Sequence, residues 1–301
     1  MAKMSEELRP LLFSIAYRML GSVSDAEDVV QEAFLRAERT EAEGAEIASR
    51  KAFLTTVATR LAIDQLRSAR ARRETYVGPW LPEPLLTSTE PDAAEHAEMA
   101  DSLSMSFLVL LETLSPVERA VFLLREVFEY GYDEIAEIVG KSEDNCRQIL
   151  VRARKRIDEG KPRFEADRRQ QQELATKFLD AFENGEVDEF VDLLAADVVF
   201  YGDGGGKGRG ISRPVHGQQR VTRLLATFVP RYRTAGARVQ LTELNGGPGA
   251  LFFDADDRLI NVFAFDIAGG AIQTVRSIIN PDKLAHLGYP LSDLGRQGDS
   301  P

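Results

Sequence analysis

The stretch Tyr132 to Ile157, YDEIAEIVGKSEDNCRQILVRARKRI, leaves this chain the least freedom in what it can fold into. It reads as two short helices around a tight turn. Tyr132, Ile135, Ala136 and Val139 recur at helical spacing and give the first helix an inner face. Gly140 suits the left-handed exit position, where a Cβ is costly. Ser142 is a good N-cap for the second helix. There Cys146, Ile149, Leu150, Ala153 and Ile157 share one side. Arg147, Gln148, Arg152 and Lys155 point the other way, with Arg154 and Arg156 on the flanks. Such a pattern fits a helix-turn-helix whose second helix enters a DNA major groove, with Asn145, Arg147 and Gln148 placed for base edges and the later cations for phosphate or bases. An ordinary helical hairpin with a solvated basic face fits it too.

The rest of the chain narrows the choice. Its 301 residues are enough for two or three domains. No apolar run of about 18 residues predicts a membrane span, and MAKMSEELRP lacks the apolar core of a signal peptide. One cysteine allows no internal disulfide and three scattered histidines give no ligand spacing, so neither a metal nor a cofactor is expected, and a cytoplasmic location is. Cys146 itself reads as a small buried hydrophobe rather than a redox switch. The net charge of −11 opposes the usual footprint of a DNA binder. Basic residues gather instead in Arg60–Arg73 and Arg147–Arg169, which suggests that a larger partner supplies or exposes the DNA-binding surface.

In chain order, residues 5 to 40 look helical. Ser24 to Glu27 has the form of a capping box, and Asp25, Glu27, Asp28 and Glu32 make an acidic edge on the helix that follows, with Val29, Val30, Ala33 and Phe34 inside. A helix over 50–70 turns Phe53, Leu54, Val57, Ala58 and Leu61 inward and carries a second stripe of Thr56, Arg60, Ile63 and Arg67, with Asp64 in pairing range of Arg60 or Arg67. GPWLPEPL, with three prolines around the only tryptophan, predicts an extended course, and the acidic TSTEPDAAEHAE continues a linker. Helices resume with Leu103, Phe107, Leu110, Leu111 and Leu114 as a core stripe. Ser115-Pro116-Val117-Glu118 is a strong helix start. From about 168 the pattern changes to two helices, the strand Val198–Tyr201, the glycine-rich DGGGKGRG, a helix near 218–228, and four strand-like runs up to Ile278. Asp256-Asp257 and Ala268-Gly269-Gly270 fit hairpin turns. Helices first and a meander afterwards predict an α+β domain with a curved antiparallel sheet on helices.

Three segments then stand in a specific order: AYRMLGSVSDAEDVVQEAFLRA, FLTTVATRLAIDQLRSARARRE, and LSPVERAVFLLREVFEYGYDEIAEIVGKSEDNCRQILVRARKRI. They resemble the polymerase-binding, −10 and −35 segments of bacterial extracytoplasmic-function sigma factors. The remainder resembles a SnoaL-like domain of the cone-shaped NTF2-like fold, which a subgroup of those factors carries as an extension. That subgroup is marked by WLPEPL, DGGGK and NPDKL, here Trp80–Leu85, Asp203–Lys207 and Asn280–Leu284. The resemblance departs at Arg60, where many such factors have asparagine.

It implies a multidomain chain: a first all-α module over 1–73, a Pro-rich linker over 74–101, an all-α helix-turn-helix module over 102–165, a SnoaL-like α+β regulatory domain over 168–290, and a tail over 291–301. It also implies promoter-directed transcription initiation, often in stress responses, by a protein that is monomeric when free and is not an enzyme. Core RNA polymerase and promoter DNA would be its partners. Asp25, Glu27, Asp28, Gln31 and Glu32 would dock on the polymerase. Arg60, Asp64 and Arg67 would hold the −10 element, and Asn145, Arg147, Gln148, Arg152 and Lys155 would read the −35 element. Trp80, Leu81, Pro82, Asp203, Gly204, Gly205, Gly206, Lys207, Asn280, Pro281, Asp282 and Lys283 would form a regulatory interface. Two alternatives stand beside this. The sheet domain can bind or convert a small molecule, with Asp203, Lys207 or His216 as acid or base, or the chain is a helix-turn-helix regulator that works without polymerase.

Overall fold

The computed structural model describes residues 2–73, 75–87, 102–160, 168–208 and 210–295. The acidic linker stretch from 88 to 101, residues 161–167 and the tail beyond 295 lie outside the described residues. The chain divides into two compact units, residues 1–75 with 107–161 and residues 76–106 with 162–301.

The first unit is all helix. It contains α1 (Ala2–Leu20), α2 (Val23–Ala42), α3 (Arg50–Arg73), α4 (Met105–Leu111, which enters the unit at Phe107), α5 (Pro116–Glu126), α6 (Tyr132–Val139) and α7 (Glu143–Gly160). α1, α2 and α3 pack on one another through Leu12, Ile15, Ala16, Met19, Val29, Val30, Ala33, Leu54, Ala58 and Ala62, all buried. α2 starts two residues before the expected cap: Ser22, not Ser24, accepts from the Asp25 amide at 3.2 Å. The reason lies in α1. Gly21 takes φ 66° and its amide closes α1 on the Tyr17 carbonyl at 2.7 Å, so the next helix begins at once. The inner face of α3 is also rotated from the expected one. Leu54, Thr55, Ala58, Thr59, Ala62, Ile63 and Leu66 are buried, while Phe53, Val57 and Leu61 are half-buried. Ile63 thus belongs to the core and not to the Arg60–Arg67 surface stripe. Likewise Met105, Leu108, Leu111 and Leu114 are buried in and after α4, and Leu103, Phe107 and Leu110 only partly.

Ser115 starts α5 with a complete capping box, the Ser115 amide donating to Glu118 at 2.9 Å. Gly140 ends α6 at φ 65°, and the Asn145 amide donates to Ser142 Oγ at 3.3 Å at the start of α7. Cys146, Ile149, Leu150, Ala153 and Ile157 are the buried side of α7, as the spacing predicts.

The second unit holds α8 (Arg168–Asn184), α9 (Val187–Asp192), β1 (Leu194–Asp203), β2 (Val215–His216), α10 (Gln218–Thr234), β3 (Arg238–Leu244), β4 (Gly247–Phe253), β5 (Leu259–Ala268), β6 (Ala271–Ile278) and α11 (Pro281–Leu284). One sheet runs in the order β2-β1-β6-β5-β4-β3. It is mixed rather than antiparallel, because β1 pairs with β6 in parallel. The meander β3 to β6 is antiparallel, with turns at Asp257 and Gly269-Gly270 in the left-handed region. One sheet face packs on α8, α9 and α10 through a cluster of phenylalanines. Phe252 and Phe263 lie 4.6 Å apart between ring centres, and Phe178 meets Phe265 edge-on at 5.5 Å. Truncating one such buried ring costs about 3–5 kcal/mol, so this cluster holds the domain and sets where the far ends of β1 and β6 emerge.

Candidate nucleic-acid interface and linker seat

α7 owes its outward face to its own periodicity. With the buried side fixed on Cys146, Ile149, Leu150, Ala153 and Ile157, Asn145, Arg147, Gln148, Arg152 and Lys155 are exposed. Arg147 is held by Glu143 at 2.9 Å and Asp144 at 3.1 Å and lies 4.7 Å from the Tyr132 ring centre. The Glu143 hydrogen bond, ahead of the other charges near it, raises its pKa. Arg152 and Lys155 make no ion pair among the described residues. Arg154 and Arg156 do: they pair with Glu126 at 2.8 Å and Glu118 at 2.7 Å on α5. Val151 is 66% exposed on the same outward face. Burial pushes the Cys146 thiol pKa up, consistent with a packed, unreactive side chain.

On α2, Asp25 and Glu32 are half-buried and Asp28 and Gln31 exposed. Glu27 is ion-paired with Arg9 of α1, and Glu32 with Arg36 at 2.8 Å, which lowers the Glu32 pKa through that hydrogen bond. Leu35, 38% exposed, sits one turn beyond Gln31 and Glu32. On α3, Arg67 takes Asp64 at 3.0 Å. Arg60 turns away from both and donates to two backbone carbonyls at the end of α6, Ile138 at 2.9 Å and Glu137 at 2.8 Å.

The second unit brings the three marked motifs together. Asp203 ends β1 and is fully buried. Its carboxylate accepts from Lys283 Nζ at 2.6 Å, from Tyr76 Oη at 2.5 Å and from the Leu81 amide at 2.8 Å. A buried carboxylate needs such a set, since unpaired it is expensive. Lys283 also donates to the Leu81 carbonyl and lies 4.3 Å from the Trp80 ring centre and 4.9 Å from that of Tyr76. Asn280 caps α11 through the Asp282 amide at 3.1 Å and donates to Tyr76 Oη at 2.8 Å. Burial, then the neighbouring Asp203 charge, drives the Tyr76 phenol pKa far up, so it stays a donor.

Glycine makes the turn possible. Gly205 takes φ 57°, and a Cβ there would lie 2.2 Å from Asn280 Nδ2 and 2.8 Å from Tyr76 Oη. Gly204 has no more room, 2.6 Å from the Gly208 carbonyl. Lys207 pairs with Asp282 at 2.5 Å, with both side chains largely exposed, so it adds little. Pro82 is buried within the strip, and Pro281 is the first residue of α11.

The linker runs on along the sheet. The Leu85 amide donates to Asn245 Oδ1 at 2.9 Å and the Asn245 amide to the Leu85 carbonyl at 2.8 Å. Leu86 bridges Leu244 of β3 in antiparallel fashion, and the Thr87 amide reaches the Glu243 carbonyl at 3.1 Å. His286 donates through Nε2 to the Pro84 carbonyl at 2.7 Å. Sequence reasoning missed Tyr76, Asn245 and His286. Asn245 carried a signal, being an asparagine before Gly246 between two strand-like runs, where the left-handed region is favoured; it adopts φ 52°.

Among the described residues no hydrogen bond or ion pair joins Asp203, Lys207 and His216 to one another. Asp203 is taken by Lys283, Lys207 is paired with Asp282, and His216 of β2 stands opposite Val199 of β1. A cavity of about 40 Å³ opens between the sheet and α10, lined by Phe200, Phe228, Tyr232, Asn261, Ser277 and Leu294 among others. Tyr232 Oη donates to Asn261 at 2.8 Å, and Asn261 to Ser277 at 3.1 Å. Among the described residues no cluster of metal-ligating side chains occurs, and no helix is long and apolar enough to cross a membrane.

Residues 4–72 match the Sigma-70 region 2 family and residues 104–157 the Sigma-70, region 4 family. The chain is 38% identical over 300 residues to the ECF RNA polymerase sigma factor SigJ of Mycobacterium tuberculosis, across 96% of this chain and 94% of that one. It is 30% identical to the probable ECF RNA polymerase sigma factor SigI of the same species, across 92% of each. The crystal structure of the M. tuberculosis extracytoplasmic function sigma factor SigJ superposes with a TM-score of 0.75 at 35% identity, covering 97% of this chain and all of that one.

Proposed function

This chain belongs to the extracytoplasmic-function sigma factors, non-enzymatic proteins that direct RNA polymerase to promoters, and on that premise we propose how its residues divide the work. Asp25, Glu27, Asp28, Gln31 and Glu32 dock on a basic surface of core polymerase, with Leu35 as the apolar centre of that contact. Arg60, Asp64 and Arg67 hold the −10 element once strand opening frees a base, which costs a few kcal/mol and calls for cations and a pocket. Asn145, Arg147, Gln148, Arg152 and Lys155 read the −35 duplex. The observation that carries this is the outward face of α7, which leaves those five side chains exposed on a helix fixed to α5 by Arg154 and Arg156. Run-off transcription with core polymerase and templates scrambled at one element at a time tests it. A factor that acts without polymerase would not need the acidic edge of α2, and it would retard the −35 duplex alone.

The sheet domain regulates. Its seat for the linker, built on the Asp203–Lys283 pair, is the feature that supports this reading. The linker joins the two DNA-binding modules in sequence, so a domain that holds residues 76–87 controls how far the modules can separate. Ending the chain near residue 165 removes the seat, and promoter output should change sharply. Unchanged output removes this reading. A metabolite-binding role has weaker support. The cavity of about 40 Å³ suits a water molecule or two, against roughly 300–1,000 Å³ for ordinary ligand sites. We place the protein as a monomer, when free, in the cytoplasm, where its polymerase works.

A further inference from the structure

Val151 of α7 is more exposed than any other exposed large apolar side chain among the described residues. It stands in the middle of the outward face. Arg147 and Gln148 precede it by four and three residues and Lys155 follows it by four, the spacings that set helical side chains next to one another. A lone exposed valine is ordinary on a protein surface. This one differs in being bare. Long cationic neighbours commonly lay their stems over an apolar residue. Arg147 is drawn instead to Glu143, Asp144 and the Tyr132 ring. Arg154, three residues beyond Val151, is drawn to Glu126 of α5. With both guanidiniums held elsewhere, the two methyls of Val151 open to solvent in the centre of a basic face.

Valine has a local disadvantage there. A β-branched residue loses χ1 freedom in a helix and ranks below alanine, lysine or glutamine as a helix former. No packing within the chain offsets that loss at so exposed a position. The same stiffness suits an interface, because the rotamer is already chosen and contact freezes little. The surroundings set the partner. Arg147, Arg152 and Lys155 face outward with Val151, which favours an anionic surface. In a DNA major groove the apolar group on offer is the 5-methyl of thymine. Side chains four apart on a helix lie about 5–6 Å from each other, and bases step about 3.4 Å along a strand. A methyl met by Val151 therefore lies within about two base pairs of the one Arg147 reads.

We propose that Val151 is a specificity-determining residue: it packs on a thymine 5-methyl group in the −35 duplex and selects the identity and orientation of one A·T pair there. The proposal rests on the −35 reading given above to α7, and adds to it a base contact that uses neither charge nor hydrogen bond. The methyl stands on one strand only, so the contact tells T·A from A·T and both from G·C. Phosphate contacts carry most of the sequence-independent affinity. Val151 therefore shapes preference at one position. One methyl withdrawn from such a contact weakens it about three- to fivefold.

Selection by the holoenzyme tests it, with core polymerase, the full chain and duplexes randomised across the −35 element. The unaltered chain should enrich thymine at one position of one strand. Val151→Ala should flatten that position and keep the preferences at the others; alanine favours the helix, so the fold survives. Uracil in place of that thymine removes only the methyl. It should weaken holoenzyme binding about three- to fivefold with the unaltered chain and leave binding by Val151→Ala unchanged. Equal uracil effects in the two proteins, or identical selection profiles, overturn the proposal. Lost affinity of Val151→Ala for core polymerase, with selection unmoved, overturns it too and makes the valine a protein contact. Arg147→Ala separates this from the reading beneath it. A profile moved by Arg147→Ala and not by Val151→Ala removes the valine contact alone, whereas a profile moved by neither removes the −35 role of α7 as well.

Discussion

Replacing Asp203 by asparagine should unseat the linker while leaving the sheet domain folded. The carboxylate holds three donors, Lys283 Nζ, Tyr76 Oη and the Leu81 amide, at 2.5–2.8 Å with no exposure to solvent. Asparagine keeps the shape and one acceptor oxygen but strands the Lys283 ammonium, which is nearly as buried. Removing one side of a buried pair costs about 3–5 kcal/mol. For a domain of this size each kcal/mol moves Tm by roughly 2–4 °C, so the sheet domain should melt roughly 6–20 °C lower. Hydrogen exchange locates the loss. The Leu81 and Leu85 amides should speed up more than core amides of β5, which gain only what the lowered stability of the domain gives them. Adding Lys283→Met removes the stranded charge and should restore most of the melting temperature without restoring protection at Leu81. Leu81 protection equal to that of the unaltered chain, or a melting shift under about 2 °C, would refute the claim that this pair seats the linker.

Other expectations follow from single contacts. Arg147→Ala should lower discrimination at the −35 element on the order of ten- to a hundred-fold in promoter competition, with polymerase affinity unchanged. Gly205→Ala meets both a positive φ and the Asn280 amide, so it should loosen the same amides as Asp203→Asn, read by exchange. Ser22→Ala should destabilise the helical unit by about 1 kcal/mol in denaturant melts, and Ser24→Ala by much less, because Ser22 is the cap. Glu118 sets an acid limit. Burial acts to raise its pKa, but the Ser115 and Arg156 hydrogen bonds outweigh it and hold it below 4.5. Its stabilisation is then complete above pH 4.5 and is lost as pH falls through the folded value, so Glu118→Gln should flatten the acid limb of a stability profile.

The local physics was legible in the sequence. The α7 core face, the Gly140 exit and the Ser115 box all rest on neighbours within one turn, and all stand where spacing puts them. Ser22 and Ser24 are equally good caps as residues; the choice between them was made by Gly21 ending α1, a tertiary event in a helix bundle. The buried face of α3 shifted because Thr55, a polar residue that periodicity counts as surface, finds the Tyr130 hydroxyl 75 residues away. The parallel pairing of β1 with β6 left no trace in strand alternation, which is the same in either direction. At the linker seat the motifs were visible one by one, and their convergence was implied only by resemblance. A lone Asp203 and a lone Lys283 say nothing of each other across 80 residues of sequence.

The account turns on whether the sheet domain governs initiation through its hold on the linker. Run-off transcription at equal occupancy of core polymerase, comparing the full chain with Asp203→Asn, measures that directly. A several-fold difference in promoter-specific transcript is the predicted result. Equal transcript from the two proteins, with the Leu81 amide shown to be released in the variant, would contradict it.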